Sequence, residues 1–209
     1  MKLFAAIVAV CAALAAGHAA RAGEPAPPPP LARFDATGYV YVIPHAPDFA
    51  TGIASADLRW LHVEGRYNYE ALHTGSAFLG LTGSWGTGVR LSVTPMAGAT
   101  FGRLDGFAPA LRALVTWWRF DLWSEPELVV PFSGASGTFF YNWSEVGFSP
   151  LGSLRVGGVV QRTRPFESPL SFQRGLFAGV GLGPFNLTVY EFNWGWTAPT
   201  FVGALGLTL

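Results

Sequence analysis

The sequence predicts an all-β fold, a transmembrane antiparallel up-and-down β-barrel of twelve strands, with ten strands as the alternative. Apolar residues alternate with polar ones at a period of two along most of the chain, which indicates strands with one apolar and one polar face. The alternation changes parity across short connections, as it does in tight antiparallel hairpins. Half of the residues are hydrophobic and only 12% are charged, against about 25% in a typical soluble domain. Alternating strands can present that much apolar surface to a membrane without any long apolar run.

The repeating unit is clearest around Leu61-His62, which the parity change predicts to be a tight turn. This turn would place Arg59 opposite Glu64 and Asp57 opposite Arg66. Both pairs are opposite in charge, which favours the pairing.

The same pattern predicts strands over the rest of the chain. They are Arg33–Ile43, Thr51–Trp60, Val63–Leu72, Ser76–Ser84, Val89–Phe101, Pro109–Thr116, Arg119–Val130, Thr138–Phe148, Gly152–Arg164, Phe172–Leu182, Phe185–Trp194 and Thr200–Leu209. The tight turns are predicted at Leu61-His62, Trp85–Gly88, Trp117-Trp118, Ser149–Leu151 and Gly183-Pro184. An even number of strands puts both termini on one side of the membrane, which is the periplasmic side in barrels of this type.

The N-terminal segment has the features of a secretory signal peptide. Lys2 precedes an apolar run that ends near Ala16, and small residues precede a cleavage site near Ala22. We therefore expect a signal peptide at 1–22, a proline-rich periplasmic leader at 23–32 and the barrel at 33–209. A transmembrane helix is the alternative, but the apolar run is short for one. The predicted mature chain contains no cysteine, because Cys11 lies in the signal segment.

Charge excludes one class of function. After removal of the signal segment the chain has eleven basic and thirteen acidic residues, a net charge of about −2. No basic patch indicates a nucleic-acid partner. The histidines and carboxylates show no clustered metal-ligand spacing, so no metal and no cofactor are predicted.

Thirteen charged residues share the parity that faces the barrel lumen. They are Asp57, Arg59, Glu64, Arg66, Glu70, Arg90, Arg112, Arg119, Asp121, Glu125, Glu127, Glu145 and Arg155. They could line a channel that selects solutes, or form a structural network of ion pairs. The alternating signs favour the network for most of them.

The predicted turns also determine which inward-facing residues of neighbouring strands lie opposite each other. A turn at Trp117-Trp118 sets Arg112 opposite Trp123, and a connection at Ser149–Leu151 sets Glu145 opposite Arg155. We expect four aromatic side chains to fill part of the bore: Trp123, Trp143, Phe177 and Tyr190.

Two charged residues, Arg174 and Glu191, have the parity of the lipid-facing side near the outer rim. We interpret them as a sign of a register slip or bulge. The alternative is contact with lipopolysaccharide head groups.

With its signal-like segment and its period-two repeats, the chain resembles the small outer-membrane β-barrels of Gram-negative bacteria. The last strand adds to the resemblance, because Gly203, Leu205, Leu207 and Leu209 have the spacing of the C-terminal strand in this superfamily. It departs from the pattern in ending on leucine instead of an aromatic residue. The resemblance implies location in the outer membrane, with lipids, lipopolysaccharide and the assembly machinery as partners. It also implies a narrow porin-like channel, with a small solute as a further partner, or a structural barrel.

Two other functions fit parts of the pattern. Outer-leaflet lipid-modifying hydrolases and acyltransferases use Ser/His or Asp/His sets. Here His45, Asp48, His73 and Ser76 lie near one end of the predicted barrel, without a motif that links them. A secreted soluble ligand-binding barrel would instead place the apolar residues inside, but the chain carries too few charges to solvate its outside.

Overall fold

The computed structural model describes residues 32–44, 47–133, 138–164, 171–195 and 199–209, and these form thirteen β-strands. The strands are β1 (Arg33–Val42), β2 (Phe49–Leu58), β3 (Leu61–Tyr67), β4 (Thr74–Leu81), β5 (Gly83–Trp85), β6 (Val89–Gly102), β7 (Gly106–Trp117), β8 (Phe120–Pro131), β9 (Phe139–Leu151), β10 (Leu154–Arg164), β11 (Ser171–Leu182), β12 (Phe185–Phe192) and β13 (Thr200–Thr208). The predicted signal peptide and residues 23–31 lie outside the described residues. No helix in the described ranges is long and apolar enough to cross a membrane.

The strands close into a barrel with twelve strand positions. Strands adjacent in sequence pair antiparallel, except around β5, and β1 pairs with β13. The strands β4 and β5 occupy a single position, since both pair with β6 in one register, with Gly80 opposite Met96 and Gly83 opposite Val93. The break between them falls opposite Pro95, whose missing N–H removes a ladder hydrogen bond. The predicted twelve-stranded antiparallel barrel is therefore confirmed.

Short turns join the strands at one end of the barrel, called here the turn end, and longer connections join most of them at the other, the loop end. Four of the turns have two residues, and the fifth, between β5 and β6, lies at residues 86–88, within the turn predicted at Trp85–Gly88. The turn predicted at Gly183-Pro184 is confirmed, with Leu182 paired to Phe185. The first hairpin turns at Arg59-Trp60 instead of Leu61-His62, because Leu58 pairs with Leu61. Arg59 adopts a φ of 59°, a left-handed conformation that a tight turn requires.

Two other turns are displaced as well, in these cases toward the C-terminus. Trp117 pairs with Phe120, so the turn is one residue later than predicted. Leu151 pairs with Leu154, so that turn lies at Gly152-Ser153, and a bulge follows it. Alternation determines which face a residue occupies but not its partner, because a pairing can shift by two residues without changing any face.

The cross-strand pairs that depended on the predicted turns are consequently wrong. Asp57 lies opposite His62 instead of Arg66, and Ser55, not Arg59, lies opposite Glu64. The pairing partner of Trp123 in β7 is Leu114, not Arg112. Glu145 lies opposite Val159, not Arg155.

The outside of the barrel is apolar. Leu58, Val63 and Leu122 are 42%, 38% and 45% exposed, whereas Glu64 on the opposite face is 2% exposed. Exposed aromatic residues form one band at the turn end and another at the loop end, as in the girdles of membrane barrels. The turn-end band contains Trp60, Trp85, Trp117, Trp118, Phe120 and Phe185, and the loop-end band Tyr67, Phe101, Phe107, Phe132, Phe172 and Trp194. A soluble barrel with an apolar inside does not fit this surface.

The register slip predicted at Arg174 and Glu191 is wrong. Pairing is continuous through both residues, with Val160 opposite Arg174 and Leu176 opposite Glu191. Leu176 is exposed on the outer surface, so Glu191 lies on that face as well.

The apolar exterior predicts a depth-dependent effect of charge. Leu79 lies near the middle of the strand position that β4 and β5 share and is 61% exposed. We expect Leu79→Arg to lower the free energy of unfolding in vesicles by about 2–4 kcal/mol, since it places a cation at the bilayer midplane. The matched control is Leu182→Arg beside a turn, which should cost about 0–1 kcal/mol. Denaturant unfolding followed by tryptophan fluorescence measures both, and equal losses would contradict the assignment of this surface to lipid.

Candidate functional site in the barrel interior

The loop-end half of the bore is packed with apolar and aromatic side chains. Trp143 lies at its centre, with its ring 6.2 Å from Tyr39, 5.1 Å from Tyr190 and 5.5 Å from Phe192. Phe192 and Val202 have no exposed surface. The expectation that aromatic residues fill part of the bore agrees with this packing.

Arg66 is the centre of a buried ion-pair network in the middle of the barrel. Its Nε lies 2.6 Å from Glu64 Oε1, its Nη2 2.6 Å from Glu125 Oε1 and its Nη1 2.8 Å from Glu127 Oε2. The guanidinium group also lies 4.5 Å from the ring centre of Phe78. One cation from β3 is therefore shared by three carboxylates from two strands.

Arg112 and His62 extend this network. Arg112 pairs with Glu64, and its Nε lies 3.2 Å from Glu125 Oε2. The ring of His62 is fully buried, with Nδ1 2.7 Å from Asp57 Oδ1 and Nε2 3.5 Å from Glu64 Oε2. The connected group, called here the central network, consists of Asp57, His62, Glu64, Arg66, Arg112, Glu125 and Glu127.

A second group surrounds Arg155. This arginine pairs with Asp121, with Nε 2.9 Å from Oδ2, and with Glu145. Glu145 also accepts hydrogen bonds from Trp143 Nε1 at 2.8 Å and from the Tyr190 hydroxyl at 2.9 Å. These bonds attach the ion pairs to the aromatic packing of the loop-end half.

The Arg155 group packs closely against the backbone at Gly147. A Cβ atom at Gly147 would lie 2.5 Å from Arg155 Nε and 2.5 Å from Asp121 Oδ2. Any larger residue at Gly147 would therefore displace the pair.

Glu70 lies in the connection between β3 and β4 and is also buried. Its Oε1 accepts a hydrogen bond from the Ser76 hydroxyl at 2.6 Å. Burial raises the pKa of the Glu70 carboxyl, and the hydrogen bond from Ser76 opposes this shift. Glu70 Oε2, Glu127 Oε1 and Thr100 Oγ1 are among the buried oxygens of the described residues for which no protein group donates a hydrogen bond.

Solvent reaches the interior charges from the turn end only part of the way. Side-chain exposure is 31% at Asp57 and Arg155, which lie next to the turns. It is 17% at Asp121, which also lies beside a turn, 17% at Arg112 and zero at Glu64. A charged vestibule therefore opens at the turn end and is closed by the central network.

The structure brings ten of the thirteen predicted interior residues together, in the two ion-pair groups and beside them at Glu70. The other three lie exposed at the turn end: Arg59 in a turn, Arg90 at the start of β6, and Arg119, whose Nη1 donates to the Pro150 carbonyl at 2.6 Å. His62 was missed because it was assigned to a turn. A turn at Arg59-Trp60 would have placed it opposite Asp57 and identified it as interior.

Three of the four residues considered for catalysis are described, and each of them has a hydrogen-bond partner outside the predicted set. The Ser76 hydroxyl donates to Glu70, while His73 is exposed with its backbone N–H bonded to Asn68 Oδ1. Asp48 accepts from the backbone of Ile43, and His45 lies outside the described residues. Among the described residues, no three His, Cys, Asp or Glu side chains are placed to hold a metal ion.

A closed antiparallel barrel with an apolar exterior, aromatic girdles and a charged interior is a transmembrane β-barrel. Its fold is that of outer-membrane porins. The structure is similar to that of the KdgM porin in complex with disordered oligogalacturonate, with a TM-score of 0.58, 8% identity and coverage of 84% of this chain and 97% of that one. A second structure of the KdgM porin gives a TM-score of 0.55 at 9% identity and the same coverage. No protein-family model and no curated protein matches the sequence.

The sharing of Arg66 by three carboxylates predicts a large effect on stability. We expect Arg66→Met to lower the free energy of unfolding by about 3–5 kcal/mol, because it leaves buried carboxylates without their cation. Arg90→Met is the matched control, since Arg90 is exposed, and it should change stability by less than about 0.5 kcal/mol. Unfolding in detergent micelles compares the two. Similar values for both variants would mean that Arg66 does not neutralise the interior.

Proposed function

We propose that this chain is a narrow porin-like channel of the outer membrane. The observation that carries the proposal is the solvent-accessible, charged vestibule that runs into a closed barrel and ends at the central network. A channel lining needs charged or polar groups that contact the solute and a constriction that limits its size. Arg112 and Asp121 in the vestibule provide the charged groups that would contact the solute. The Arg66 ion pairs provide the constriction.

The likeness in fold to the KdgM porin supports this proposal. That protein's structure was determined with oligogalacturonate, and its barrel aligns over 84% of this chain. We propose a small polar solute for this chain as well.

The proposal includes the route to the membrane and the partners there. Residues 1–22 act as a signal peptide cleaved near Ala22, and residues 23–32 form the periplasmic leader. The backbones of Phe34 and Leu209 are hydrogen-bonded to each other at the turn end, which supports a periplasmic turn end with both termini. The outward-facing Arg174 and Glu191 near the loop end would then contact lipopolysaccharide head groups, and the last strand would be recognised by the assembly machinery.

A structural barrel without conductance is the second candidate. It is favoured by the dense packing of the loop-end half, where Phe192 and Val202 have no exposed surface. Conductance separates the two candidates.

We expect refolded protein in planar bilayers to give small, discrete openings, which Trp143→Ala enlarges because Trp143 occupies the middle of the bore. The matched control is Trp117→Ala, since Trp117 is 58% exposed on the outer surface. It should leave the unitary conductance unchanged. Folding of each variant is checked by its heat-dependent mobility in gels.

The absence of openings above background in both the wild-type protein and Trp143→Ala would refute the channel and favour the structural barrel. An equal change in the Trp117→Ala control would show that conductance does not pass through the bore.

A further inference from the structure

One sector of the outer surface carries polar side chains within the lipid-facing band. Leu122 and Val146 are 45% and 57% exposed and mark the outer faces of β8 and β9. Because side chains alternate along a strand, Ser124 on β8 and both Asn142 and Ser144 on β9 share these faces. All three lie in the interiors of their strands, away from both rims of the barrel.

The three side chains form one hydrogen-bonded group, called here the outer polar cluster. Ser124 Oγ lies 2.9 Å from Ser144 Oγ and 3.3 Å from Asn142 Oδ1. Asn142 Nδ2 donates to Ser144 Oγ at 3.1 Å. Ser124 lies opposite Ser144 in the β8–β9 ladder, so the cluster links two strands at one depth in the membrane.

The cluster belongs to a polar face that is confined to consecutive strands. Arg162 on β10 lies opposite Asn142, with its guanidinium group 5.8 Å from the ring centre of Phe140. Arg174 and Glu191 continue this face on β11 and β12. On the described strands β1–β7 and β13, the outward positions carry apolar, aromatic or glycine residues. The polar face is therefore a local feature of one side of the barrel.

Polar side chains at this depth are costly if they face lipid. Hydrocarbon offers them no hydrogen-bonding groups, and polar residues within membranes usually face other protein groups. Apolar contact alone drives little association in lipid, because acyl chains are as apolar as leucine, whereas Ser and Asn side chains bind each other between membrane segments. The position of the cluster therefore points to a contact with another protein surface.

A second copy of the chain presents the matching chemistry. Serine hydroxyls and an asparagine amide both donate and accept hydrogen bonds, so the cluster is complementary to itself. All copies enter the membrane in one orientation, and a two-fold axis along the membrane normal brings equal depths together. We propose that β8 and β9 form a homodimer interface centred on the outer polar cluster, with Leu122 and Val146 packed around it. This interface does not depend on the proposed channel function.

The opposite side of the barrel does not offer such a match. Around the barrel, β1, β13, β12, β11 and β10 lie between β2 and β9 in one direction, and β3, β4, β6, β7 and β8 in the other. The outer surface of β1–β3 has a groove of about 710 Å³ whose outward residues include Gly38, Gly52, Ala54 and Gly65. A head-to-tail contact between this groove and the cluster would bury the cluster against groups that cannot bond to its side chains, which is unfavourable.

Cross-linking of single-cysteine variants in outer-membrane vesicles tests the interface. The predicted mature chain contains no cysteine, so each variant has one reactive site. We expect a short bismaleimide to give a cross-linked dimer with Val146→Cys, which leaves the cluster intact. The matched control is Ala54→Cys, which is exposed on the opposite side and should give none. No dimer with Val146→Cys, or equal amounts with both variants, would overturn the interface.

The association constant in detergent micelles tests the cluster itself. We expect Asn142→Leu to weaken dimerisation by about tenfold, because a two-fold axis counts each lost hydrogen bond twice. Ser144→Ala is a smaller change and should act in the same direction. Ala54→Leu introduces the same side chain as Asn142→Leu on the opposite side and should leave the constant unchanged. Sedimentation equilibrium measures the constants, and heat-dependent gel mobility confirms that each variant is folded.

Two outcomes of this measurement would overturn the dimer. One is an unchanged association constant in both Asn142→Leu and Ser144→Ala. The other is a monomeric wild-type protein that retains lipopolysaccharide and loses it in Asn142→Leu, since the cluster would then bind lipid instead of a second copy.

Discussion

The barrel depends on the neutralisation of charge that has been removed from water and enclosed by lipid. An isolated ion in such a place costs several kcal/mol even after relaxation, so it must be paired and hydrogen-bonded. Arg66 meets this requirement for three carboxylates at once, at 2.6 to 2.8 Å. Two of them, Glu125 and Glu127, come from β8, which is separated from β3 by the strands β4, β6 and β7 around the barrel. The network thus ties together strands that share no backbone hydrogen bonds.

The same requirement divides the interior into two halves with different properties. Toward the loop end, Trp143 packs against aromatic neighbours, and Phe192 and Val202 have no exposed surface. Toward the turn end, the side chains of Asp57 and Arg155 are partly exposed to solvent. This exposure avoids the high cost of burying their charges. Glu145 joins the halves, because it accepts hydrogen bonds from Trp143 and Tyr190 and pairs with Arg155.

Sequence reasoning could predict which face of a strand each residue occupies, but not which residue lies opposite it. The period of two assigned Glu64, Arg66 and Glu127 to the interior, and the structure places them there. It could not show that Arg66 meets Glu127, because the two are separated by 61 residues and by several strands of the barrel. Placing the first turn two residues too late along the chain shifts each partner by four residues without changing its face, which is why Asp57 was paired with Arg66 and the buried His62 was overlooked.

The most direct test of the central network is a double-mutant cycle between Arg66 and Glu127. Unfolding free energies are measured in one detergent for the wild-type protein, Arg66→Met, Glu127→Gln and the double variant. Residues within one ion-pair network couple by about 0.5–3 kcal/mol, whereas distant sites add within about 0.3–0.5 kcal/mol. We expect the double variant to be more stable than the sum of the single losses predicts, by at least about 1 kcal/mol. Strict additivity would contradict the account, because it would mean that the two charges do not neutralise each other across the bore.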